Sequence, residues 1–278
     1  MSLKRIYNYL PRQLEPVTKY SYYITRSIVH NARYTFGIDT RPEDYWADTA
    51  SRLIGSEAAL ERYNREFEEL EETKLLESAR AKYDSWVNDI NASWASISER
   101  QAKLLYSIIR DQGPDVAVET GVCNGVSTLA ILAALEANNN GELYSVDYPI
   151  YANQTLPEFR KKSQPSSGNY SAIPQDKEPG WIIPESLTDR WHLRTGKSQV
   201  ELPQLLSELS EIDFFMHDSE HSKACMMMEY ELAWHHLREG GVMLSDDIHF
   251  NSAWEEWTNY RVDGLKGKIS ENVGWVVR

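Results

Sequence analysis

The sequence predicts an α/β fold: a doubly wound, mostly parallel sheet with helices on both faces, preceded by a helical extension. Three observations predict it. From about residue 97, short apolar runs alternate with segments of helical period, the pattern of a parallel sheet. The run at 115–119 passes directly into a glycine-containing turn and then a helix. Acidic residues stand just past the ends of several runs, where open α/β sheets bind ligands. The 278 residues suit one catalytic domain, here 97–278, plus an added segment, 1–96.

The extension carries no catalytic motif. Its clearest helix spans Ser56 to about Ile90, with Leu60, Tyr63, Phe67 and Leu70 on one apolar stripe. Leu76, Ala79, Tyr83 and Trp86 continue that stripe after a phase slip. Two readings are open: a dimerisation surface or active-site cover, and a helix packed on its own domain. Residues 1–36 hold six Lys/Arg and one Glu, net +5, which leaves −18 for the rest of a chain of net charge −13. Packing of this arm on the acidic body and peripheral contact with an anionic membrane are its two readings. Pro11 and Pro16 interrupt any amphipathic period and favour the first.

Within 97–278, a helix is expected over 98–111, ending at Gln112-Gly-Pro114, then a strand at 115–119. A helix over 126–137 stops at Asn138-Asn-Asn-Gly141, and a strand follows at 143–147. Residues 148–189, rich in Pro, Ser, Gly and Tyr, read as an insertion without period. Its Tyr148, Tyr151, Phe159, Tyr170 and Trp181 suit a lid over an acceptor site. Strands at 191–194, 212–216 and 242–245 alternate with helices at 202–209 and 222–237. The second helix is expected to show Cys225, Met228 and Leu232 on one side and to end at Gly240-Gly241. A short helix at 254–260 and an end strand at 274–277 complete the chain.

Composition excludes several classes. Two cysteines, Cys123 and Cys225, make neither a disulfide framework nor a thiolate zinc site. The acidic balance argues against nucleic acid as the main partner. No apolar run reaches bilayer-spanning length, and no signal-peptide core follows Met1-Ser-Leu-Lys-Arg5, so a cytoplasmic location is expected. The Asn-X-Ser/Thr triplets at Asn91, Asn153 and Asn169 therefore carry little meaning.

The turn after 115–119 reads Glu119-Thr-Gly-Val-Cys-Asn-Gly-Val-Ser127. Gly121 allows a tight turn and close approach to a ligand, and Gly125 lets the helix start against the strand. Cys123 replaces the middle glycine of the dinucleotide fingerprint, and the Glu119 carboxylate repels a diphosphate. Asp147, at the end of 143–147, can accept from both hydroxyls of a ribose.

These residues resemble class I methyltransferases, in particular metal-assisted O-methyltransferases of the catechol and macrolide-sugar types. The resemblance covers about 97–250. It implies a Rossmann-like, seven-stranded sheet and S-adenosylmethionine as donor, whose ammonium and sulfonium suit Glu119. It matches Glu119, Gly121, Gly125 and Ser127 to the donor loop, with Ser127 at the donor's carboxylate; Cys123 lies inside that donor-binding loop where many relatives have glycine or an aromatic residue. Gly196-Lys-Ser-Gln199 resembles the loop that places Ser198 and Gln199 near adenine.

His217-Asp-Ser-Glu-His221 and Ser245-Asp-Asp-Ile-His249 bring Asp218, Asp246 and Asp247 to one sheet edge. Like charges this close repel, and a divalent cation, Mg²⁺ first, resolves that. The resemblance matches these three to the metal ligands and His221 to the catalytic base. Glu220 and His249 are rival bases; His217, His235 and His236 read as structural. A cap for the next helix is the plain reading of the Asp pair. The function expected is methylation of a hydroxyl on a small acceptor, such as a sugar, glycan or phenol. A nucleotide- or NAD-binding Rossmann enzyme and a non-catalytic binding protein on the same scaffold are the alternatives. Acceptor and oligomeric state, a homo-oligomer included, are left open.

Overall fold

A computed structural model of the chain describes residues 53–88, 92–94, 97–152, 170–269 and 272–278. The basic arm 1–36, the asparagines Asn91, Asn153 and Asn169, and Phe159 lie outside the described residues.

The stripe at 56–90 becomes two helices, α1 (Glu57–Glu69) and α2 (Glu71–Trp86). Leu70 breaks them: its extended backbone (φ −64°, ψ 135°) ends one helix and begins the next. That break is the physical origin of the phase slip, which a single helix does not explain. Leu60, Tyr63 and Phe67 of α1 are buried and join one continuous core with helices α3 (Glu99–Gln112) and α4 (Val126–Asn138). The described part of the extension is thus packed on its own domain. Helix α3 starts at a reciprocal cap between Ser98 and Gln101 and ends at Gly113 in the left-handed region.

The main sheet has seven strands in the order β5-β3-β2-β6-β7-β9-β8. These are β2 (Val116–Thr120), β3 (Glu142–Asp147), β5 (Trp191–Thr195), β6 (Ile212–His217), β7 (Leu237–Ser245), β8 (Lys266–Lys268) and β9 (Gly274–Val277). The first five in that order run parallel, while β9 is antiparallel to both β7 and β8. The doubly wound, mostly parallel sheet expected from the sequence is present. The short edge strand β8 was not legible; its Lys-Gly-Lys has no apolar alternation.

Alternation along the strands builds two cores. Ala117 and Phe214 face α3 and α4, whereas Val118 and Phe215 face the opposite layer. That layer holds α5 (Ser198–Leu209), α6 (Lys223–His236) and α7 (Ala253–Arg261). One expectation is corrected here. Helix α6 stops at His236, and Gly240 and Gly241 lie inside β7, where the pairing with β6 shifts register between Ile212 and Phe214. The buried residues of α6 are Cys225, Met226, Glu229, Tyr230 and Ala233, and Leu232 packs partly buried against the same core.

The described parts of the insertion are anchored. Strands β1 (Ala92–Ser93) and β4 (Tyr170–Ser171) pair in parallel, and Tyr151 bridges Ile173. A 3₁₀ turn at Glu185–Arg190 then leads into β5. Among the described residues, no helix is long and apolar enough to cross a membrane.

Candidate active site

The order of the sheet reverses between β2 and β6, so a crevice opens at their carboxyl ends. The donor loop stands on one side of it and the acidic cluster on the other. Gly121 shows how close they are: a Cβ there would sit 1.9 Å from the backbone oxygen of Asp218. Gly121 (φ +90°) therefore admits the next strand's turn, and the neighbour it accommodates in this structure is Asp218 rather than a ligand. Gly125 (φ +101°) similarly accommodates Gly180 of the insertion, 2.8 Å from a built Cβ. Cys123 takes φ +48° without being glycine.

Glu119 is buried and accepts hydrogen bonds from Thr128 Oγ1 (2.6 Å), Ser145 Oγ (2.8 Å) and Ser127 Oγ (3.3 Å). Burial pushes its carboxyl up to about 7 against the lowering effect of these hydroxyls. The two residues expected at the donor's amino-acid end, Glu119 and Ser127, are thus bonded to each other. Asp147 Oδ2 accepts from the amides of Val122 (2.6 Å) and Cys123 (2.8 Å), which ties the loop to the end of β3. Burial raises the Asp147 carboxyl as well. Ser198 and Gln199 open α5; Ser198 Oγ lies 3.5 Å from Cys225 Sγ, and Gln199 Nε2 donates to Glu220 Oε2 at 3.1 Å.

His217 and Ser245 are paired in register, so Asp218 and Asp246 leave the sheet side by side. Asp247 follows with φ +50°, a left-handed conformation that aspartate tolerates at a cost. His221 stands between carboxylates: its Nε2 is 3.7 Å from Asp218 Oδ1 and its Nδ1 is 3.7 Å from Asp247 Oδ2. His249 Nδ1 is 3.7 Å from Asp247 Oδ1 on the other side. Burial raises all three carboxyls. Asp246 and Asp247 push Asp218 further up, and Asp246 reaches about 6. Burial, with His217 adding to it, lowers His221 to about 3.

The donor chemistry of this cluster fits a hard divalent cation: three mutually repelling carboxylates, with Asp246 Oδ1 buried and lacking a hydrogen-bond partner. The side chains do not stand as a finished chelate. Among the described residues, no three or more Asp, Glu, His or Cys are grouped so as to hold a metal.

Three features of the site were missed in the sequence. Asn124 is buried; its Nδ2 donates to the Trp94 carbonyl (2.8 Å), and its Oδ1 accepts from Trp181 Nε1 (2.7 Å). Gly180 N also donates to Cys123 O (2.9 Å), so the insertion braces the donor loop directly. Glu229, fully buried on α6, gathers Thr120, His217 and Ser219 around its carboxylate. The one signal for Glu229 was its position four residues after Cys225 and four before Ala233, inside an apolar stripe.

Residues 118–248 match the sequence profile of a family described as a methyltransferase domain. No curated protein matches the chain significantly. Similar solved structures include a putative O-methyltransferase from Klebsiella pneumoniae, at 13% identity and TM-score 0.49, covering 73% of this chain and 90% of that one. An O-methyltransferase from Bacillus cereus, in complex with S-adenosylhomocysteine, is 15% identical at TM-score 0.45, covering 88% and 96%. The O-methyltransferase TomG from Streptomyces achromogenes, involved in tomaymycin synthesis and solved with S-adenosylmethionine, is 14% identical at TM-score 0.47, covering 75% and 90%. The profile match and the strand order agree on one assignment: residues 118–248 are a class I methyltransferase domain, the class that takes its methyl group from S-adenosylmethionine.

Proposed function

We propose that the chain is a metal-assisted O-methyltransferase acting on a hydroxyl of a small acceptor, a sugar, glycan or phenol. The observation that carries the reading is the close approach of Gly121 to Asp218, which sets the donor loop directly against the first aspartate of the acidic cluster. In this reading Glu119, Ser127 and Asp147 receive the donor's ammonium, carboxylate and ribose, and Ser198 and Gln199 flank its adenine. Gly121, Cys123 and Gly125 shape the loop. Asp218, Asp246 and Asp247 would hold a divalent cation, Mg²⁺ by the hardness of the ligands. When bound, that ion lowers the pKa of an acceptor hydroxyl and fixes its direction.

His221 is the base of the proposal. Burial keeps it unprotonated at neutral pH, the state in which it can take a proton. A histidine of such low basicity serves an acceptor already activated, which is why base and cation belong to one mechanism. Residues 1–96 are read as an extension to a domain over 97–278, with 148–189 as its insertion over the acceptor side.

The test has separate arms. Isothermal titration should show S-adenosylmethionine binding that is lost in Glu119→Ala/Asp147→Ala; no binding by the wild type, or tight NAD binding instead, rejects the donor. Turnover of a panel of sugars and phenols should cease in chelator and in Asp218→Ala; full activity in either rejects the metal. His221→Ala should keep donor binding and lose turnover by about a hundredfold or more.

A further inference from the structure

Glu229 takes no part in the chemistry above, yet it is the best-connected charge near the site. It is 0% exposed. Its Oε2 accepts from Thr120 Oγ1 and His217 Nδ1, both at 2.6 Å. Its Oε1 accepts from Ser219 Oγ at 2.6 Å and, more weakly, from Cys225 Sγ at 3.4 Å. Thr120 is the last residue of β2, immediately before Gly121. His217 and Ser219 flank Asp218 on both sides. A single carboxylate therefore grips the root of the donor loop and both neighbours of the residue that loop touches.

A buried carboxylate is an expensive way to join three elements. Its desolvation costs several kcal/mol, and well-packed apolar groups often do as well for stability alone. What it adds is direction: each hydroxyl and the imidazole must point at one of two oxygens, and the backbones carrying them are fixed with it. The spacing those backbones keep is tight: Gly121 leaves no room for a Cβ beside the Asp218 backbone oxygen.

We infer that Glu229 is a positioning residue of the donor site, which holds the root of the donor loop at a fixed spacing from the Asp218 turn. The inference rests on the donor reading proposed above. It extends that reading to a residue that touches neither donor nor acceptor.

Titration calorimetry with S-adenosylhomocysteine on the full chain, well below the melting temperature, tests it. Glu229→Gln keeps the size of the side chain and removes its charge; affinity should fall about tenfold, or 1.4 kcal/mol. Thr120→Val and Ser219→Ala each remove one donor and leave the charge; each should weaken binding severalfold with the fold intact. The effects of Thr120→Val and Glu229→Gln should not add, because both weaken the same interaction. A purely structural role would lower the melting temperature and leave affinity unchanged in the folded fraction. Binding within about twofold of wild type in a folded Glu229→Gln, or in both single-donor variants if that protein does not fold, overturns the inference. If wild type itself fails to bind, the donor reading falls and the inference with it; the wild-type arm separates that outcome from failure of Glu229 alone.

Discussion

Cys123 was the oddity of the donor loop, a side chain where glycine would be expected, and its backbone explains the expectation. At φ +48° it occupies a region that costs an L-residue about 1 kcal/mol or more. Its amide still donates to Asp147, so the conformation is held from outside rather than chosen locally. Cys123→Gly should therefore stabilise the protein by about 1 kcal/mol, a rise of roughly 2–4 °C in melting temperature by calorimetry. An unchanged or lowered midpoint would mean that packing of the thiol outweighs the strain. Chemistry at this scale was partly legible. Asp218, Asp246, Asp247 and His221 could be grouped because strand ends locate them and like charges announce a shared site. Glu229 could not, because a glutamate in a helix reads as solvated unless its neighbours at four-residue spacing are known to be buried. The bonds of Glu119 to Ser127, Thr128 and Ser145 were equally hidden; they depend on strand register, which periodicity does not give.

Periodicity served well for the elements that form one layer and poorly for their junctions. The strands β2, β3, β5 and β6 fall where apolar runs put them; β2, β3 and β6 are buried on both faces, while β5 is a partly exposed edge strand. The break at Leu70 was visible only as a slip in phase, and Gly240-Gly241 reads as a helix stop although it serves a strand irregularity. The insertion gave least, because its anchors are short and scattered: the two-residue β1–β4 pair, Gly180 on Gly125, and Trp181 on Asn124. Trp181 also packs against Trp86 and Trp94, with ring centroids 5.5 and 6.1 Å apart, so the extension and the insertion meet beside the donor loop. Trp181→Phe keeps a ring but leaves Asn124 Oδ1 buried with its Trp181 partner gone, at a cost of about 1–3 kcal/mol. Hydrogen exchange at the amides of 121–125 should speed up, and the midpoint should drop by several degrees. Exchange no faster than in wild type would show that the insertion lies against the loop without bracing it.

Over the whole molecule of net charge −13, burial raises the Glu119, Asp218 and Asp246 carboxyls at one edge of the sheet above their ordinary values. Glu119, at about 7 in the folded protein against an ordinary 4.5, binds its proton more tightly when folded. Its contribution to stability is complete below 4.5 and is lost as pH rises through 7. Asp246, at about 6, acts in the same sense. His221 acts in the opposite sense: lowered to about 3, its contribution is complete above 6.5 and is lost as pH falls towards 3. Between pH 8 and 6.5 the carboxyls prevail, because His221 has barely begun to lose its share. The ligand-free protein should therefore melt higher at pH 6.5 than at pH 8, with Glu119 supplying on the order of 1 kcal/mol of the difference. Glu119→Gln carries no titrating proton at that position and should remove that part of the slope. Saturating S-adenosylmethionine should also flatten it, since a cationic ammonium beside Glu119 favours the charged carboxylate and brings its pKa back down. Differential scanning calorimetry at the two pH values, with and without donor, checks all three. If Glu119→Gln retains the full slope, the proton belongs to another group. If donor raises the midpoint but leaves the slope intact, Glu119 does not meet the donor's positive charge, and its work is confined to the three hydroxyls it already holds.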